Sequence, residues 1–254
     1  MKTLFTRIKN LSPALYYCGI GHLALFMLML VIMQFDHRQL MSINLWIKPI
    51  KFAISIAIYC LTWPLFLQYL PFERLKKRFV YFTVFAMVFE MTAIGSQAAR
   101  GELSHYNTTG PYNALVFALM GIVIVSQTLF SLYIGFTFFK VKAQQITPAL
   151  LWAIRLGIIM ACVFALEGGI MASRLAHTVG AADGGPGLPL FNWSRIAGDL
   201  RIAHFMGLHA LQIVPLFVLF TGVKSAKPAI VFALIYFTLI SLLFYNAMLG
   251  RPLF

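Results

Sequence analysis

Acidic side chains are scarce: seven aspartates and glutamates stand among 254 residues, and charged residues of both signs make up only 11%. With 61% hydrophobic residues and a mean hydropathy of +0.85, this excludes an ordinary soluble domain and fits an integral membrane protein. Cysteine is scarce too. Cys18, Cys60 and Cys162 are odd in number, lie in separate apolar stretches and form no C-x-x-C, which excludes a disulfide framework and a zinc ribbon. They read as small packing residues. The absence of C-x-x-C-H excludes covalently attached c-type haem. A cleaved signal peptide is excluded because the first apolar run is too long and residues 26–35 lack a small-x-small site. The last apolar stretch has no lysine, so a retinal Schiff base has no place to form.

What remains is apolar sequence in lengths that cross a bilayer. About 20 residues at 1.5 Å rise span the hydrocarbon core. Seven segments qualify: 11–33, 46–70, 79–99, 112–139, 149–173, 202–223 and 228–249. They use nearly the whole chain, so the expectation is one all-α domain over 1–254, an integral membrane bundle of seven transmembrane helices. Basic residues orient it. With the N-terminus cytoplasmic and the C-terminus periplasmic, the inner side carries twelve lysines and arginines against Glu73 alone. The outer side carries eight, with six acids among them. The net charge of +13 is then mostly a set of orientation signals facing anionic lipid headgroups, and no nucleic-acid partner is implied.

Most connections are short: 36–45, 71–78, 141–148 and 222–227. Short connections make consecutive helices antiparallel neighbours. Two outer connections differ. Residues 101–111 hold Glu102, His105, Tyr106 and Asn107, and residues 177–196 contain Asp183-Gly-Gly-Pro-Gly-Leu-Pro-Leu190. Glycine and proline force an irregular path there. Leu188, Leu190, Phe191 and Trp193 predict that this longest loop folds back as a cap. Aligning Glu90 with Glu167 sets Gln97 opposite Arg174 and Arg100 opposite His177. The second and sixth segments match only around Pro64 and Pro215, at another offset, so this reads as a chance likeness rather than a duplication.

The most informative residues are Glu90 and Glu167, each inside a spanning segment. A carboxylate in hydrocarbon is costly and normally faces the interior. Residues three, four and seven apart share a helix face. That rule gathers Glu90, Gln97 and Arg100 on the third segment, and Glu167 and Arg174, with His177 close by, on the fifth. Lys48 and Lys51 head a stripe on the second segment, and Arg201, His204, His209 and Gln212 cover an arc of the sixth, just after Asp199. His105 stands in the 101–111 loop. Together they predict a funnel of charges open to the periplasm, narrowing to carboxylates and imidazoles. Ion pairing within it, Glu90 with Lys51 or Arg100 and Glu167 with Arg174 or Arg201, is the purely structural alternative.

Several chemistries fit such a funnel. Binding of a small polar or anionic ligand would use Lys48, Lys51, Arg100, Arg174 and Arg201 for attraction, and Glu90, Glu167, His204 and His209 for titration or coordination. Movement of that ligand or of protons is an extension of the same reading. A metal-dependent enzyme acting on a lipophilic substrate would draw ligands from His204, His209, His105, His177, Glu90 and Glu167. His204 and His209 are five apart, about 140° around a helix, and are poorly placed to chelate one ion. Seven-helix zinc hydrolases of the ceramidase and adiponectin-receptor type share the helix count, but this chain lacks their H-x-x-x-H on the last helix. A b-type haem protein would use His22 and His209. None of these readings assigns a cofactor or an oligomeric state.

Three stretches, Gln97-Ala-Ala-Arg-Gly-Glu-Leu-Ser-His-Tyr-Asn107, Asp183-Gly-Gly-Pro-Gly-Leu-Pro-Leu190 and Gly198-Asp-Leu-Arg-Ile-Ala-His-Phe-Met-Gly-Leu-His-Ala-Leu-Gln212, resemble a family of uncharacterised bacterial multi-pass inner-membrane proteins. The resemblance covers the third through sixth segments. It implies a bacterial cytoplasmic membrane and carries no activity, ligand or catalytic residue.

Overall fold

A computed structural model describes residues 2–142 and 146–254. The protein is all-α, 73% helical, and among the described residues its strands are two residues long. The helices are α1 (Lys2–Leu11), α2 (Pro13–Phe35), α3 (Ile47–Leu67), α4 (Glu73–Ala99), α5 (Gly110–Thr137), α6 (Pro148–Leu166), α7 (Gly168–Arg174), α8 (Leu200–Leu208), α9 (Ala210–Thr221) and α10 (Ala226–Met248). Six helical stretches are long and apolar enough to cross a membrane, and the α8–α9 pair, taken as one bent span, is the seventh. Large apolar side chains such as Phe35, Phe220 and Leu219 are exposed around these helices. In water that surface would aggregate; in a bilayer it is the lipid face. The expected 141–148 connection falls partly outside the described residues.

The chain forms two compact units, Met1–Gln127 and Thr128–Phe254, and the boundary falls within α5. In the first unit, Ser12 caps α2 by accepting from the Leu15 amide, with Pro13 in the first turn. The span therefore starts at 13, and the residues before it form the separate helix α1. The basic run after Glu73 is helical rather than a loop, so α4 begins six residues earlier than expected. Its long side chains can carry their charges to the interface while the backbone stays helical. Trp63 and Phe79 meet edge-to-face at 4.5 Å in the core. The Gln127 side-chain amide donates to Tyr59 and Thr83, joining α5 to α3 and α4. A hairpin of β1 (Gln39–Leu40) and β2 (Ile43–Asn44) links α2 to α3, with Met41 and Ser42 in the left-handed turn.

In the second unit α6 packs against α9 and α10 through small residues. Ala149, Ala153, Ala210, Ala229 and Ala233 are buried with Met160, Val214 and Val218. In lipid there is no hydrophobic drive between helices, so close approach and packing hold them together. Arg155 on α6 donates from Nε and Nη2 to the Phe138 carbonyl and from Nη2 to that of Val141. It thus closes the carbonyl end of the preceding helix with a cation.

One span expected to be continuous is broken. The fifth runs on as a single span from Pro148 to Arg174, with a local irregularity at Glu167, where the Ile170 amide reaches the Glu167 carbonyl in a tightened turn and Gly168 and Gly169 follow. The sixth breaks at His209, and its halves diverge by 49°. Pro215 lacks the amide that would reach the Leu211 carbonyl. Gly157 on α6 makes room for this break: a Cβ there would lie 2.9 Å from the Ala210 carbonyl oxygen.

Candidate functional site

In the first unit the polar residues expected to face a ligand are largely engaged with one another. Lys48 and Lys51 lie at the start of α3, half-buried. Gln97 is fully buried and donates to Asn113 Oδ1 at 2.9 Å and to the Leu103 carbonyl. Arg100 donates to Gln97 Oε1 at 2.9 Å and lies 4.4 Å over the Tyr112 ring. Glu102 accepts from Asn107 and Asn113. These bonds knit the 101–111 loop onto α4 and α5. His105 lies within the same loop, with Ser104 Oγ 3.0 Å from its Nδ1 and the Phe52 ring 5.6 Å away. At the neighbouring turn Asp36 accepts from Arg38 and from the Trp46 indole, and the Arg38 guanidinium holds its carboxyl well below the usual carboxylate range.

Glu90 is different. It is buried on α4, at 4% exposure, with Met87, Met91 and Ile94 as its buried neighbours on the helix and Thr83 and Gln97 two turns away on the same face. Its Oε1 has no hydrogen-bond partner among the described residues.

In the second unit Glu167 stands between α6 and α7, within the single span Pro148–Arg174 and with helical backbone angles. It is 6% exposed, and neither carboxylate oxygen has a hydrogen-bond partner among the described residues. The expected pairing with Arg201 does not form, because Arg201 is taken by Asp199. Arg174 sits at the exposed end of α7. One residue beyond Glu167, Gly168 lies against His204; a Cβ there would be 3.3 Å from the ring carbon Cε1. His204 Nδ1 is 2.7 Å from the Phe164 carbonyl. A carbonyl only accepts, so Nδ1 carries the hydrogen and Nε2 is left as the ring's acceptor. His209 packs edge-to-face on Phe205 at the α8–α9 break, and the Gln212 amide donates to its carbonyl.

The 177–196 loop is built, as expected, from turns that fold back. Strand β3 (Thr178–Val179) pairs with β4 (Gly198–Asp199) at its base. Asp183 accepts from the backbone amides of His177 and Thr178, the Thr178 hydroxyl and His177 Nδ1, the last at 2.6 Å. Asp199 accepts from the Ser194 and Arg201 amides and from Nε and Nη2 of Arg201; Arg201 Nη2 also donates to the Asn192 carbonyl. His177, Asp199 and Arg201 are thus elements of the loop's own architecture.

Partial burial pushes the Asp183 carboxyl up, but the hydrogen bonds from His177 and Thr178 outweigh it and hold it well below its ordinary value. A folded-state value below the unfolded one adds stability that is present above the unfolded value, near 3.9, and is lost as pH falls through the folded one. The fluorescence of Trp193, in the same loop, should therefore stay constant from neutral pH down to about pH 4 and change only below it. Asp183→Asn should give the low-pH signal already at neutral pH. A Trp193 signal in Asp183→Asn that matches the wild type at every pH would disprove this role.

Within each unit, then, the expected residues divide into those committed to structure and those left open. Gln97, Arg100, His177, Asp199 and Arg201 belong to the first group. Glu90, Glu167, and Nε2 of His204 belong to the second. Among the described residues no three histidine, cysteine, aspartate or glutamate side chains are arranged to hold a metal ion. The cysteines, expected to be separate, are not all so: Cys18 on α2 and Cys60 on α3 touch, with His22 beside them. The i, i+4 spacing of Cys18 and His22 was visible in the sequence; the arrival of Cys60 needed the helix pairing. Searches against protein-family models, curated proteins and solved structures find no match to this chain.

Proposed function

We propose that this multi-pass membrane protein takes up protons, alone or with a small polar solute, at carboxyl groups buried among its helices. In this reading it sits in a bacterial cytoplasmic membrane with the N-terminus inside, and the polar ends of its helices open to the periplasm. The observation that carries the proposal is Glu167: a buried carboxyl inside a membrane-length span, with both oxygens unpartnered among the described residues. An ionised carboxylate in such a place needs a compensating charge, from a proton or from a cationic group on a solute. Broken helices bearing ionisable groups at mid-membrane are also the construction that transporters use. The same half has a bent, broken span at His209, and His204 adds an acceptor nitrogen near Gly168. Glu90 supplies a comparable carboxyl in the first unit. Recognition of an anion draws less support, since Arg100 and Arg201, expected to attract it, are bound by protein groups.

The test is proton uptake by the full chain in liposomes carrying a pH-sensitive dye, together with infrared detection of the protonated carboxyl band. Glu167→Gln should abolish uptake to the level of empty liposomes and remove one carboxyl band, while helicity and elution volume stay those of the wild type. Glu90→Gln should remove a second band. Wild-type uptake in Glu167→Gln would overturn the proposal, as would unfolding of both Glu167→Gln and Glu167→Asp. An absorption spectrum and elemental analysis of the same sample would reveal haem or stoichiometric metal.

A further inference from the structure

We propose that Cys18 and Cys60 are a redox-active dithiol that closes to a disulfide between α2 and α3. The two sulfurs are 3.6 Å apart, with the Cys60 thiol donating to Cys18 Sγ. The contact is built into a close helix crossing. Gly19 faces Leu61 and the Ala57 carbonyl, where a Cβ would lie 2.8 Å and 3.3 Å from the nearest atoms. A glycine and an alanine at one crossing bring the backbones near enough for two short side chains to meet, and a disulfide requires that proximity.

The pair is also chemically asymmetric. His22 Nδ1 is 2.8 Å from the Cys18 carbonyl and 3.7 Å from Cys18 Sγ. The carbonyl must accept, so Nδ1 bears a hydrogen that also faces the sulfur. Cys18 therefore receives two donors, the Cys60 thiol and the His22 ring, and is the sulfur best supported as a thiolate. It is partly exposed while Cys60 is buried. Cys18 is thus the attacking thiol and Cys60 the resolving one. Cys18 lies about one and a half turns, and Cys60 about two turns, from the helix ends next to α1, within reach of the interface.

The oxidant is a two-electron acceptor that dissolves in the membrane, of the quinone or azo class. Cys18 thiolate adds to the acceptor. Cys60 then attacks Cys18 sulfur and displaces the reduced acceptor. Two thiols lose two electrons and two protons, one S–S bond forms, and the acceptor leaves as a hydroquinone or a hydrazine. The pair does not use Glu90 or Glu167, so it stands or falls independently of proton uptake.

The experiment uses the full chain in membrane vesicles treated with an azodicarboxamide oxidant, then denatured and alkylated. Two of the three thiols should disappear, and peptide mapping should give a single Cys18–Cys60 crosslink that dithiothreitol reverses. Cys162 should stay alkylatable. His22→Asn should slow closure about tenfold by removing a donor to the attacking sulfur. Cys60→Ser should trap the oxidant as a reversible adduct on Cys18. Three free thiols after treatment, a crosslink involving Cys162, or a dimer joined through Cys18 would each overturn the proposal. So would unchanged closure in His22→Asn, for the asserted asymmetry.

Discussion

Asp199→Ala should cost about 3 kcal/mol of stability and release the loop that follows α7. Asp199 is 2% exposed, and its carboxylate meets two backbone amides and the Arg201 side chain. Removing it leaves those amides without acceptors and strands a guanidinium that retains about a quarter of its exposure. Loss of one partner from a buried pair typically costs about 3–5 kcal/mol, and the residual exposure of Arg201 places this case at the lower end. The measurement is thermal unfolding of the detergent-solubilised protein, followed by Trp193 fluorescence. In a double-mutant cycle, Arg201→Ala should recover part of the loss, because the stranded charge is gone. A change below about 0.5 kcal/mol for Asp199→Ala would mean that the loop is held from elsewhere.

Gly207→Ala should have a comparable effect by overpacking. The added methyl would overlap Cβ and Cγ of Phe164, atoms too close to the α6 backbone to swing aside. Phe164 is itself buried in a cluster with Ala203 and Ile240. Inserted methyl groups in such places cost about 1–3 kcal/mol, and here relief requires α8 to move away from α6. That movement would stretch the His204–Phe164 hydrogen bond, so the variant should lose thermal stability and alter the His204 imidazole signal in nuclear magnetic resonance. Phe164→Ala, which removes Cγ and Cδ2, should lower the cost of Gly207→Ala in a double-mutant cycle. Wild-type stability in Gly207→Ala would show that the crossing tolerates more separation than its geometry suggests.

Which parts of this molecule were legible beforehand follows from the length scale of the signals. Spans are long and apolar, so composition alone located them within a few residues. The ends were missed where capping chemistry decides: Ser12 and Pro13 start α2, and the basic turn after Glu73 continues α4. The irregular turn at Glu167 is followed by Gly168 and Gly169, yet hydropathy is blind to it because the segment stays apolar throughout. The break at His209 lies six residues before Pro215, which the sequence marked, and its position depends on Gly157 and the helix it belongs to. Helical spacing found the polar residues but not their partners. Asp199 with Arg201 and Asp183 with His177 are loop contacts that no periodicity describes, and Cys18 meets Cys60 only because α2 and α3 cross at Gly19.

The single hydrogen on the His204 ring has a kinetic meaning. Its Nδ1 is tied to a backbone carbonyl, which accepts a hydrogen bond but cannot take the proton away. A proton arriving at Nε2 must therefore depart from Nε2, by the door through which it came. Handing it onward to the opposite side would require the ring to turn over and surrender the Phe164 carbonyl. On the proposed reading of proton uptake, His204 is therefore a dead end, and any through-going wire has to run past it rather than across it.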